Sequence, residues 1–236
     1  MVDMVKNYPF IPIKFQKDHK GMQGFEYYDG EDHNKCVQDW LKARDLALEA
    51  ALGFRLPVTK QLRNRLLEPF MWQTVIVSAT DFENFFRLRL HEDTEIHFQD
   101  LAEKMLIAYN NSNPKLLSHG EFHIPFGDNI DDNRLQSLIS EGIIENNSIE
   151  NLKIKIAIAR CARVSYLNFN GKDDYVADIE LYNRLIGQIP RHMSPAEHVA
   201  MALDSDEYFG NFRGFLQHRK TFADENLKDD RVLKNV

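Results

Sequence analysis

A mixed α/β fold is what the residue pattern of this chain predicts. Apolar residues recur at helical spacing in several long stretches, and residues 71–77 form a β-rich run. The chain has 236 residues, 43% of them hydrophobic, enough to bury a substantial core.

In chain order, residues 1–7 read as the end of a helix, 9–15 alternate as an extended segment, and 16–33 are a polar, Gly-containing loop. Residues 34–52 form a strong amphipathic helix, with Val37, Leu41, Leu46, Ala47 and Ala51 on one stripe. Gly53 stops it and Pro57 follows. Residues 60–67 are helical, and 80–89 return to helical spacing through Phe82, Phe85, Phe86 and Leu88, with Thr80 as the expected N-cap. Residues 95–109 continue as a helix through Ile96, Phe98, Leu101, Ala102 and Met105. Residues 120–126 alternate briefly as a short strand or lid loop before an acidic turn at 128–132. Helices follow at 133–140, 148–166 and 174–186, and the charged tail from Asp224 is expected to fray. No repeat divides the chain, so one domain is expected over residues 1–223.

A net charge of −7 argues against an electrostatic grip on a nucleic-acid polymer, while leaving room for a local basic pocket that holds one nucleotide. Cys36 and Cys161 lie far apart, outside any metal or C-x-x-C spacing, which predicts a reducing, cytoplasmic setting. No leader or spanning run is evident, so no membrane is expected. No metal is expected either. Gly120 and Pro125 argue against the helix that His119 and His123 would need to share an ion. His192, Glu197 and His198 lack the H-E-x-x-H spacing.

Chemistry concentrates in residues 64–89, NRLLEPFMWQTVIVSATDFENFFRLR, where arginines and an asparagine sit among aromatic and methionine side chains. Helical spacing puts Arg89 near Phe85 and Phe86 with Asn84 alongside, so Arg65 and Arg89 are expected near one pocket. A guanidinium fork suits phosphate or a pyrimidine carbonyl. Taken alone, each arginine reads first as a solvated surface charge. A second cluster holds A-R-C-A-R-V-S-Y at 159–166 and H-M-S-P-A-E-H at 192–198. Ser194, Pro195 and Glu197 fit a capping box, which offers free N–H groups to an anion or simply starts a helix.

These segments resemble the flavin-dependent (alternative) thymidylate synthases. There an R-x-x-x-P segment precedes a strand and a helix bearing N-F-x-x-L-R-x-H, matched here by Arg65, Pro69, Asn84, Phe85, Leu88, Arg89 and His91. The L-L-E-P-F-M-W run is most similar to the phage-type branch. The resemblance implies that Arg65 and Arg89 hold deoxyuridylate (dUMP) and that Asn84 contacts the flavin. The A-R-x-S and H-x-S-P-x-E-H elements imply cofactor roles for Ser165, His192 and Ser194, and an R-H-R-like triplet at 217–219 implies them for His218 and Arg219.

The implied fold is thymidylate synthase-like and circularly permuted, a β-rich core with packed helices. The implied activity joins a methylene from methylenetetrahydrofolate to dUMP, with FAD as cofactor and NADPH as reductant. A homotetramer or other homo-oligomer is implied, in the host cytoplasm if the gene is a phage's. The chain departs from the family at Gln217, at Ala196, and at Glu95 and His97, where A-Q-x-E-I is usual. The H-R-x-x-S-R-N helix of the phage-type relatives is not in this sequence, so a separate N-terminal fragment, or a catalytically incomplete flavin- and nucleotide-binding remnant, is the alternative expectation.

Overall fold

The structure is a computed structural model that describes residues 1–20, 24–164 and 173–225. Mixed helix and strand is the class observed. Helix outweighs strand by 50% to 7%, so helices rather than a β-rich core supply most of the buried surface. The chain divides into two compact units. One comprises Met1–Gln73 and Glu83–Ser112, the other Thr74–Phe82 and Asn113–Val236.

The first unit holds α1 (Val2–Asn7), α2 (Gly30–Leu52), α3 (Lys60–Arg65) with a 3-10 turn at Glu68–Phe70, α4 (Glu83–Arg89) and α5 (Ile96–Asn110). Its core is Val5, Leu48, Ala51, Leu67 and Phe70, against which Trp40 packs edge-on to Phe70 at 5.2 Å. The indole N–H of Trp40 donates to the Phe10 carbonyl at 2.9 Å, and Arg44 donates to the Lys6 carbonyl at 3.0 Å at the end of α1. Both bonds tie the N-terminal segment to α2 through carbonyls that a helix end or loop leaves open.

Residues 71–77 do not form the expected strand. Trp72, Val75 and Val77 are 60%, 72% and 64% exposed, and no described strand pairs with them. β-Propensity needs a partner and a half-buried face, and neither is present among the described residues. Thr80 does not cap α4 either. Its hydroxyl accepts from the Arg213 N–H at 2.8 Å and its own N–H donates to the Asn211 carbonyl at 3.1 Å, which binds it to a hairpin of the second unit.

The second unit is organised round α7 (Ile149–Ala162). Its run I-K-I-A-I-A-R-C is apolar on more than one face, so the helix is buried on two sides. On one, α6 (Asp132–Ser140) and α8 (Tyr175–Gly187) help close a core of Leu135, Leu152, Ile156, Tyr175 and Ile179. On the other, Ile154 and Ile158 meet Ile186, Met193, Ala196 and Val199. The caps follow the sequence: Asp131, Ser148 and Asp174 each accept from backbone N–H groups of the helix they start.

Antiparallel strands β1 (Phe122–His123), β2 (Ala200–Ala202) and β5 (Phe215–Gln217) form a small sheet in the order β1-β2-β5. A hairpin of β3 (Tyr208–Phe209) and β4 (Phe212–Arg213) turns at Gly210, whose φ of +65° suits glycine. The Gln217 side chain lies where a Cβ on that glycine would sit. Among the described residues no helix is long and apolar enough to cross a membrane.

Tyr175 is 1% exposed, and its hydroxyl accepts from the Asp131 N–H at 2.8 Å and donates to the Asn129 carbonyl at 3.2 Å. Tyr175→Phe leaves both backbone groups unpartnered, an expected loss of about 1–3 kcal/mol in urea unfolding. An unchanged midpoint would remove Tyr175 from the forces that hold the α6 cap.

Candidate functional site

The helix that carries the N-F-x-x-L-R-x-H motif is α4, and its end is held by side chains rather than by length. The Thr94 hydroxyl donates to the Leu88 carbonyl at 2.9 Å, and the Gln99 amide donates to the Leu90 and His91 carbonyls at 3.3 and 3.2 Å. These bonds satisfy carbonyls that the last turn leaves open. The following turn ends at Glu95, the N-cap of α5, whose carboxylate accepts from the His97 and Phe98 N–H groups, each at 3.1 Å.

His97 also bonds Glu95 through Nδ1, while its Nε2 accepts the Ile13 N–H at 3.1 Å. An accepting Nε2 leaves the proton on Nδ1, facing Glu95. Partial burial acts to raise the Glu95 carboxyl, but the His97 side chain and the two backbone N–H groups outweigh it and hold Glu95 below the ordinary glutamate range. Sequence reasoning missed this pair because Glu is not among the favoured N-cap residues.

A cleft of about 670 Å³ opens beside this corner, with Arg87, Arg89, His91, Asp93, Glu95 and Phe98 in its wall. The Arg89 guanidinium lies over the Phe98 ring at 5.3 Å. Phe98 in turn stands 6.4 Å from Phe85, so an aromatic layer carries the cation. Of the two acids in the wall, Glu95 serves the cap, and Asp93 donates its backbone N–H to Nδ1 of His91 at 3.2 Å. Arg89 has no ion pair among the described residues, and an exposed fork in that state can take an anion in two hydrogen bonds.

The other expected residues of this unit are placed differently. Asn84 is exposed, and its Oδ1 accepts from Arg87 at 3.0 Å. Arg65 is exposed at the end of α3, 3.7 Å from Glu68, and is not part of the Arg89 cleft wall. The expectation of one pocket shared by Arg65 and Arg89 is therefore not met in this cleft. The reason is local: α3 ends at Arg65, and the side chain points to water.

In the second unit, Ser194–Glu197 is a four-residue 3-10 turn and not the start of an α-helix. Its N-cap is Met193, no side chain caps it, and Glu197 turns to Arg219 instead of closing a capping box. His192 and Ser194 are exposed; the His192 N–H donates to the Leu185 carbonyl at 3.0 Å. Ser165 lies outside the described residues.

The triplet at 217–219 is woven into the fold. Gln217, 4% exposed, donates to the Glu197 carbonyl at 3.2 Å, and Arg219 is held by Glu197 and by Glu225, the latter at 2.6 Å. Burial opposes the charge on Arg219, but Glu225 and Glu197 overcome it and hold the guanidinium above its ordinary value. Arg219 is thus committed to two carboxylates rather than offered to an anion. His218 packs edge-on to Phe222 at 5.6 Å, and neither ring nitrogen has a hydrogen-bond partner among the described residues. Burial pushes its pKa down, so the ring is neutral at neutral pH. Burial likewise pushes the Cys161 thiol up to about 12, which keeps it out of nucleophilic chemistry.

A depressed histidine pKa means that the unfolded chain binds the proton first. Protonation of His218 therefore costs no stability above about pH 6.5, the ordinary imidazole value, and costs progressively more as the pH falls below it. His218→Phe keeps the ring contact and removes both unpartnered nitrogens. The variant is expected to match or exceed the parent by up to about 1–2 kcal/mol, with its advantage widening between about pH 7.5 and pH 5.5 in urea melts. A variant less stable at both pH values would mean that the nitrogens do have partners.

No protein-family model, curated protein or solved structure matches this chain, and its function is to be argued from its own residues and their geometry.

Proposed function

We propose that the chain is a phage-type flavin-dependent thymidylate synthase that binds dUMP at Arg89. The observation that carries this reading is the Arg89 guanidinium, without an ion pair among the described residues, set on Phe98 beside an open cleft and placed within the N-F-x-x-L-R-x-H motif. Arg89 would bind the nucleotide phosphate or polarise a uracil carbonyl, preparing C5 for attack. Arg65, exposed and only loosely held by Glu68, would add a second positive charge on closure over substrate.

FAD, when bound, would supply the hydride, drawn from NADPH, needed to reduce the methylene of methylenetetrahydrofolate to a methyl group. Toward that cofactor the present residues fit in part. Within the second unit His192 and Ser194 are exposed polar groups, and His218 holds two buried nitrogens without partners among the described residues; Asn84 of the first unit is exposed as well. Arg219 does not fit, because Glu197 and Glu225 already take its fork. A homo-oligomer belongs to the same reading. No protein nucleophile is needed, in keeping with the raised Cys161.

A second reading, flavin or nucleotide binding without turnover, is favoured by the engagement of Gln217 and Arg219 in structural contacts. The purified full-length chain separates the two. A flavin spectrum with thymidylate formed from dUMP, methylenetetrahydrofolate and NADPH supports the enzyme; dUMP or flavin binding without product supports the second reading. Arg89→Ala is expected to weaken dUMP binding by roughly 10- to 100-fold, the value of a charged hydrogen-bond pair. Equal dUMP affinity in parent and variant would remove Arg89 from the site and with it the main support for both readings.

A further inference from the structure

A second cleft, wholly within the second unit, has a volume of about 560 Å³, inside the roughly 300–1,000 Å³ range of small-molecule sites. Its wall includes Phe122, Ile124, Phe126, Lys115, Lys153 and Asp128. Phe126 is the feature that packing does not explain. Its φ is +57°, a left-handed conformation that a bulky side chain rarely adopts, yet its ring is 47% exposed. Asn or Gly would hold that turn without the strain, and the ring gains little burial in return.

The strained peptide is fixed from beneath. Arg160, 8% exposed, donates to the Phe126 carbonyl, and its own position is set by Asp173 at 2.5 Å and Asp178 at 3.6 Å. A buried guanidinium anchored by two carboxylates is a stiff support for the Phe126 backbone, which presents the half-exposed ring at the cleft.

Two lysines, one aspartate and His123 stand in the wall of this cleft. Lys153 reaches Asp132 at 2.5 Å and Lys115 reaches Glu121 at 3.6 Å, but both acids are solvent-screened, at 58% and 46% side-chain exposure. Each lysine therefore keeps attraction for a further anion.

We propose that this cleft is a ligand site, separate from the one at Arg89, that takes a flat aromatic ring bearing an anionic group. The ring lies against Phe126, and the anion turns to Lys153 and Lys115. A pyrimidine nucleotide and a pteridine carboxylate share this chemistry, and the test distinguishes them.

Titrate the full-length Arg89→Ala chain, in which the other cleft is weakened, with dUMP and separately with folic acid, by calorimetry. At least one probe is expected to bind, and which one does identifies the source. Its affinity should fall about tenfold or more in Phe126→Gly and in Lys153→Gln, each made in the Arg89→Ala background. Phe126→Gly should melt at the same temperature or higher, since glycine adopts the left-handed turn without strain. The uncharged thymidine or pterin should bind more weakly than its anionic counterpart. Failure of both probes to bind the Arg89→Ala chain, or affinities indifferent to Phe126→Gly and Lys153→Gln, overturns the proposal without touching the Arg89 reading.

Discussion

The carboxylate of Glu95 is the constraint on which the Arg89 cleft rests. It accepts two backbone N–H groups at the start of α5 and one imidazole N–H, and through His97 it reaches the backbone of Ile13. A helix start left uncapped costs about 0.5–2 kcal/mol, so this contact fixes where α5 begins and hence where Phe98 stands. It also commits one of the two carboxylates in the cleft wall to partners other than Arg89. The result is a cation over an aromatic ring with no ion pair among the described residues, an arrangement that invites an anion.

Much of the fold could be read from residue order because local chemistry and tertiary burial agree there. The α2, α5, α6, α7 and α8 helices fall within a few residues of their apolar periodicity, and Ser148 and Asp174 cap where a short polar side chain should. Disagreement arose wherever the deciding partner lay far along the chain. The β-branched run at 71–77 has no strand to pair with among the described residues, Thr80 is claimed by Arg213, and Glu197 is claimed by Arg219 instead of its own helix start. None of those partners can be deduced from spacing.

Site residues divide in the same way. Arg89 is legible as a candidate, but helical spacing points to Phe85 and Phe86 as its aromatic neighbours. Phe98 rather than Phe85 or Phe86 is the ring under the cation, since α5 folds back on α4. Arg219, given a cofactor role by the resemblance, is instead held between Glu197 and Glu225. The strain at Phe126 had no sequence signal. Nothing in G-E-F-H-I-P-F-G says that Phe126 and not a glycine carries the positive φ, and the buried Arg160 that holds it comes from α7.

Amide hydrogen exchange of the full-length chain with and without dUMP tests the central claim most directly. If the nucleotide docks on Arg89 against the Glu95-capped start of α5, exchange slows across residues 87–98 when dUMP is added. Bound dUMP with no change in that stretch, and protection confined to other residues, would contradict it.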